Sequence, residues 1–299
     1  MRSINLKVGN QTQRAINDAH ELVKRLIDSL TANDDTILHL MEEGKAGDRY
    51  FNHALNTTVL SMLLGNAMEL SEQELLHLGL GAIFHDLGKN KIPTQIINNN
   101  PNISNAEQNY FKLHVRYGKE QINNFPNFPS SSLKIISQHH EYLDGSGYPD
   151  KLSGDQISKL TQIFSVANEY DNMCNPAGQH KQSTPYHTLS QLYKHRNKQL
   201  NKSVVGLLIK ELGVYPPGCV VLLSNDKFAL VMSVIKSNLL QPKVLIYDAN
   251  IPRHEAPIIS LNEKGLSIIR VISPLKLPAG VKEYLNLRSR VNYFFELND

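Results

Sequence analysis

The sequence predicts a mainly α-helical protein: a helical bundle preceded by a short N-terminal helical segment and followed by a small β-rich domain. Three observations predict it. Apolar residues recur at helical spacing through the first two thirds of the chain, punctuated by Ser-x-x-Glu capping signatures. Beyond about residue 213 the pattern changes to short β-like runs separated by turn residues. The 299 residues are 41% hydrophobic and 20% charged, which excludes a disordered or collagen-like chain. The expected division is 1–45, 46–212 and 213–299.

The elements follow in order. Ala15, Ile16, Ala19, Leu22, Val23, Leu26, Ile27 and Leu30 form one helical stripe. It suits either a homodimer contact or the protein's own core, and own-core packing is the commoner outcome. After a polar break over Thr31–Asp35, Asp35 is placed to cap a short helix through Ile37, Leu38 and Met41. A third helix carries Phe51, Leu55, Val59, Met62 and Leu63. Ser71 and Glu74 have capping-box spacing before a helix expected to run to about Leu87, with Gly88 ending it. Ser104 and Glu107 repeat the device before a helix expected to carry His114. A helix from Ser130–Ser132 ends at His139-His140, and the glycines and proline of Asp144–Pro149 demand a loop. One more helix, about Ile157 to Met173, contains Asn168 and Asp171. Past the Tyr215-Pro-Pro-Gly218 turn, strands are expected at Cys219–Leu223, Phe228–Val234, Val244–Tyr247 and Leu266–Ile272.

Thirty-one Lys and Arg against 28 Asp and Glu give a net charge of +3, which does not describe a dedicated nucleic-acid binder. Cys174 and Cys219 form neither a disulfide framework nor a CxxC metal pair. The start lacks a signal-peptide stretch, and no run reaches the roughly 18 apolar residues of a membrane span. A cytoplasmic protein is the expectation.

The chemistry concentrates in histidines. His85-Asp86 closes one expected helix and is followed by Lys89; His139-His140 closes another; His53 and His114 lie on two more. Imidazole with carboxylate suits Mn, Fe or Zn, whereas Mg and Ca prefer oxygen shells. Taken singly, each pair also reads as a helix-end structural feature. His20, His39, His77, His187, His195 and His254 belong to no motif.

Taken together, His53, His85-Asp86-Leu-Gly-Lys89, His114 and His139-His140-Glu141-Tyr-Leu-Asp144-Gly-Ser-Gly147-Tyr148-Pro149 resemble the HD-GYP family. That family is a branch of the HD phosphohydrolases that hydrolyse cyclic di-GMP. The resemblance covers about residues 50–175. It implies an HD-type bundle around two, sometimes three, transition metals, iron or manganese being commonest. It places His53, His85, Asp86, His114, His139 and His140 among the ligands, with Asp86 as the bridge. Two metals about 3.5–4 Å apart can deprotonate a shared water and clamp phosphate oxygens. Lys89 then sets a cation near the phosphate, the alternative being a solvated helix-end lysine. Gly147 shapes the loop, and Tyr148 either contacts the ligand or anchors the loop.

Three positions depart from the family. Asn168 stands where Val166-Ala-x-x-Tyr-Asp171 carries a ligand aspartate, so this member of the ligand set brings an oxygen without charge. Asp171 matches a second family aspartate with its own role at the substrate side. Arg49 occupies the position of a glutamate found in three-metal members, so two metals are expected; it is either a phosphate contact or a surface arginine. Ala177 replaces a phosphate-holding arginine, with His180 and Lys181 nearby. The expected function is hydrolysis of cyclic di-GMP to pGpG or onward to GMP. The alternative is a weakened module that binds cyclic di-GMP or signals through protein partners such as diguanylate cyclases. A phosphohydrolase for another nucleotide is a third reading, disfavoured by the intact Gly147-Tyr148-Pro149.

Overall fold

A computed structural model describes residues 12–31, 38–40, 49–98, 104–123, 125, 127–176, 182–235, 238–287 and 291–295. Ala177, His180 and Lys181 lie outside the described residues, as does the side chain of Arg49, the first residue of its helix.

The helical part comprises α1 (Thr12–Thr31), α2 (Arg49–Ala67), α3 (Glu72–Phe84), α4 (Thr94–Asn98), α5 (Asn105–Lys112), α6 (His114–Asn123), α7 (Ser130–Gln138), α8 (Lys159–Cys174), α9 (Pro185–His195) and α10 (Lys202–Leu212). Both expected capping boxes form: the Ser71 and Ser104 hydroxyls accept from the Glu74 and Glu107 amides, and each glutamate reaches back to its serine. The α1 stripe is buried, with Ala15, Ala19, Val23, Leu26, Ile27 and Leu30 packed into the same core as α2, α3, α7 and α8. Helix α2 runs through the middle of that core, buried almost continuously from Asn56 to Leu64. Among the described residues no helix is long and apolar enough to cross a membrane.

Helix α3 stops at Phe84, three residues short of the expected Leu87, and the chain tightens into a 3-10 turn over Leu87–Lys91. Gly88 explains the change. A Cβ there would lie 1.9 Å from the His114 carbonyl oxygen and 2.4 Å from the Gly118 nitrogen. Only glycine lets this turn rest directly on the backbone of α6.

The β-rich part holds β2 (Val220–Leu223), β3 (Phe228–Ser233), β4 (Lys243–Ile246), β5 (Ile258–Ser260) and β6 (Ile268–Ile272), with α11 (Leu261–Lys264) and α12 (Ala279–Tyr284) beside them. Successive side chains point to opposite faces. Val220, Leu230, Met232, Leu245 and Ile272 pack with Val281 and Leu285 on one face, while Val221, Ala229, Val231 and Val244 pack with Leu261 on the other.

Two further strands join this sheet. β7 (Tyr293–Phe295) pairs antiparallel with β1 (Leu38–Leu40), which bridges to β3 at His39 and Ser233. The short helix expected through Leu38 therefore gives way to a strand, and His39 lies in that strand rather than in a helical pattern. Three residues cannot signal this locally, because their partners lie at the far end of the chain.

Candidate metal centre

Helix ends assemble the cluster. The last carbonyls of an α-helix have no partner within the helix, and a histidine just beyond the end can donate to one of them. His85 Nδ1 meets the Ala82 carbonyl at 2.8 Å, His114 Nδ1 the Phe111 carbonyl at 2.7 Å and His139 Nδ1 the Ile136 carbonyl at 3.0 Å. These carbonyls belong to the last turns of α3, α5 and α7; the helix expected to carry His114 ends at Lys112, and His114 instead opens α6. A carbonyl only accepts, so in each ring Nδ1 carries the proton and Nε2 presents a bare lone pair. His53, on α2, reaches the same state differently, with its Nδ1 2.6 Å from Asp171 Oδ2.

The lone pairs converge. His53 Nε2 lies 3.2 Å from His85 Nε2, and His114 Nε2 lies 3.3 Å from His139 Nε2. Neutral rings in these tautomers have no proton to place between the nitrogens, so each pair is a repulsive contact that a cation would relieve. Asp86 sits between the pairs. Its Oδ2 is 3.3 Å from His85 Nε2 and 3.7 Å from His53 Nε2, and its Oδ1 is 3.7 Å from both His114 Nε2 and His139 Nε2. Asp86 Oδ1 and His140 Nε2 are buried without a hydrogen-bond partner, an arrangement that calls for an ion or equivalent. Two overlapping sets of donors can each hold a metal: His53, His85 and Asp86, and Asp86, His114, His139 and His140. Imidazole nitrogen with a shared carboxylate fits divalent transition metals.

Electrostatics keep the donors ready. Burial lowers His85, His139 and His140 below the ordinary histidine range and takes His114 down to about 4, helped there by the Lys89 charge. Burial alone would raise Asp86, but its pairing with His85 and the Lys89 charge override it and hold the carboxyl well below the usual range. Lys89 donates to Asp86 Oδ2 at 2.5 Å, with its ammonium 5.4 Å from the Phe111 ring centre. His53, Asp86, Lys89 and Asp171 line a cleft shared with Tyr50 and Asn172.

The glycine-rich loop closes on the second set. Tyr148 stacks on His140 with ring centres 4.6 Å apart and planes 18° apart, and its amide donates to the His140 carbonyl at 3.1 Å. Gly147 lies so close to the chain beneath that a Cβ would fall 2.5 Å from Glu141 Cα, the His140 oxygen and the Tyr142 nitrogen. Asn168 is buried on α8, where its Oδ1 accepts from Asn172 Nδ2 at 3.1 Å.

Several contributors were given no role by the sequence. Glu141 is buried and accepts the Asp150 and Leu152 amides at 2.7 and 3.0 Å, holding the loop. Phe164 packs its ring 4.8 Å from that of His85. Asn56 and Asn175 both donate to Asp171 Oδ1 at 2.8 Å; their spacing, one turn after His53 and after Asp171, is the only hint of them in the sequence. Cys174 and Cys219 are buried and free, and burial pushes both thiols up, which removes them as nucleophiles.

Comparison with known proteins agrees with this geometry. A family model described as HD domain matches residues 22–204. The chain is 24% identical over 236 residues to a cyclic di-GMP phosphodiesterase of Pseudomonas aeruginosa, covering 78% of this chain and 57% of that protein. It is 31% identical over 149 residues to the cyclic di-GMP phosphodiesterase response regulator RpfG of Xanthomonas campestris pv. campestris, covering 50% of this chain and 39% of that one. The chain thus spans about half the length of these curated relatives. Among solved structures, Bd1817, an HDG"Y"P protein from Bdellovibrio bacteriovorus, shares the fold with a TM-score of 0.55 at 19% identity, covering 69% of this chain and 66% of that one.

Proposed function

Since the chain belongs to the HD domain family, we propose that it is a metal-dependent phosphodiesterase that opens cyclic di-GMP to pGpG, with further cleavage to GMP as the second step. The observation that carries this reading is Asp86, one carboxylate whose two oxygens face two separate groups of bare imidazole nitrogens. In this assignment His53, His85 and Asp86 would hold one cation, and Asp86, His114, His139 and His140 the other. When bound, a pair of iron or manganese ions supplies positive charge to the phosphoryl oxygens and acidifies water.

The chain's own residues supply the rest. Lys89 lies at the cleft beside Asp86, and its ammonium can leave that carboxylate for a phosphate oxygen once other positive charge covers Asp86. Such a preplaced cation stabilises charge that builds up during cleavage. Asp171 holds the His53 ring so that Nε2 keeps its aim. Tyr148, seated by Gly147, does the same for His140 by stacking. Arg49, whose side chain lies outside the described residues, is assigned a phosphate contact by its position in the family resemblance alone. Residues 46–212 carry all of these groups and form the HD-GYP unit of the proposal, flanked by 1–45 and 213–299.

A second reading has its own support. Asn168 brings no charge to the ligand set, and its oxygen is engaged by Asn172, which favours a weakened module that binds cyclic di-GMP or protein partners such as diguanylate cyclases. Anaerobic loading with iron or manganese, metal analysis and assay of cyclic di-GMP separate the two. Two metals per chain with pGpG release, both lost in Asp86→Asn, is the expected result. Tight nucleotide binding without turnover at full loading replaces the enzyme with the module.

A further inference from the structure

We propose that the C-terminal segment 291–293 is a positioning element of the metal centre: it orients Asn56 and Asn175, they fix Asp171, and Asp171 fixes the ring of His53. The inference rests on the metal-centre reading above and adds to it a working connection with the β-sheet, through which the sheet sets the affinity of the cation position built on His53 and His85.

The hydrogen bonds form a closed pattern. Asn56 Nδ2 and Asn175 Nδ2 each donate to Asp171 Oδ1, and each also donates to the Val291 carbonyl, all four at 2.8 Å. In return the Val291 amide donates to Asn175 Oδ1 at 2.8 Å, and the Tyr293 amide donates to Asn56 Oδ1 at 3.1 Å. Asn175 therefore pairs with Val291 through both its amide atoms, as a neighbouring strand would. Asn56, Asn175, Asp171, Val291 and Tyr293 are all buried.

This pattern decides which way the asparagines face. A side-chain amide has a donor end and an acceptor end, and either asparagine turned over would aim an oxygen at the Asp171 carboxylate. The two backbone amides of the C-terminal segment hold the oxygens away and so keep both donors on Asp171 Oδ1. Oδ2 is left for His53 Nδ1 at 2.6 Å, which keeps the proton on Nδ1 and the lone pair on Nε2. Without the segment, two buried asparagines lose their orientation and the His53 ring loses its reference. The segment is itself held by the sheet, since Leu38, His39 and Leu40 pair with Phe295, Phe294 and Tyr293.

The test uses the full chain, with Asn175→Ala, Val291→Pro (which deletes the backbone donor and touches no cluster residue) and Tyr170→Phe as a stability control. Tyr170→Phe removes the hydroxyl bond to Tyr293 and leaves the segment 291–293 unaltered. Two quantities are read: the ring-nitrogen shifts of His53 in metal-free protein, and the stepwise titration of apo-protein with Co2+. We expect Asn175→Ala and Val291→Pro to mix the His53 tautomers and to weaken one of two Co2+ steps about tenfold, within the range for outer-shell partners. Tyr170→Phe is expected to lower Tm with both readouts unchanged. Wild-type shifts and both steps intact in the first two variants overturn the proposal, as does equal weakening of both steps in all three. A wild-type chain that takes up no Co2+ fails the metal reading instead, and the ring shifts then judge the positioning of His53 separately.

Discussion

Bare imidazole nitrogens 3.2 and 3.3 Å apart are tolerable only if something positive comes between them or the rings move apart. The cost of the arrangement makes each donor's removal informative. His85→Ala takes a nitrogen from one set alone and is expected to reduce loading from two metals to one per chain, as measured by elemental mass spectrometry; an undiminished count would remove His85 from the ligands. Asn168→Asp is expected to raise metal affinity if that position reaches the cluster, because it restores an anionic oxygen; an unchanged affinity by competitive chelator titration refutes the placement. At this scale the sequence was informative for the histidines and Asp86, because together they match one long motif, although each pair alone also reads as a helix-end feature. It was silent on Asn56, Asn175 and Phe164, which matter only through what they touch. Tyr148 shows the limit well. Its letter suggested a ligand contact or a loop anchor with equal force, and only the stacked geometry against His140 reveals what it touches.

Elements meet in this protein through glycines at contact points. Gly147→Ala would drive a Cβ to 2.5 Å from three backbone atoms of residues 140–142, and overpacking of this kind costs about 3 kcal/mol. We expect Tm to fall by roughly 6–12 °C, at about 2–4 °C per kcal/mol for a domain of this size. Metal binding at the His140 side should weaken with it. Calorimetry that shows a wild-type Tm would mean that the loop stands off from Glu141. Gly88→Ala is the more severe change, since it intrudes on α6 at the His114 carbonyl. Helix starts were legible because serine and glutamate three residues apart satisfy each other's backbone groups, as at Ser71 and Ser104. The end of α3 was not, because the 3-10 turn after it answers to α6 rather than to local propensity.

For the whole molecule, the buried histidines tie stability to pH. His114 has an ordinary value of 6.5 and falls to about 4 in the folded chain. Between those values the unfolded chain binds more protons than the folded one, so stability falls as pH falls. For His114 alone the loss approaches about 3 kcal/mol at the acid end, at 1.36 kcal/mol per pKa unit, and His85, His139 and His140 act in the same direction. Metal-free protein is expected to show a Tm that declines steadily from pH 7 to pH 4, followed by circular dichroism. A flat profile would mean that these rings are solvated. The helical and β-rich parts were both legible from their periodicities. Their closure was not: β1 pairs with β7 across more than two hundred and fifty residues, and loop closure on that scale leaves no trace in a local pattern.

Because each of three imidazoles is fastened to the helix it follows, the spacing among them is inherited from how α3, α5 and α7 pack. The entropy of gathering these donors is lost when the bundle folds, before any ion arrives. An incoming cation therefore enjoys a chelate advantage that a floppy site would lack, and it encounters a cage that resists radii it was not shaped for. Once both positions are filled, cations sharing Asp86 would tie four stretches of chain together, and mass action should convert their affinity directly into resistance to unfolding.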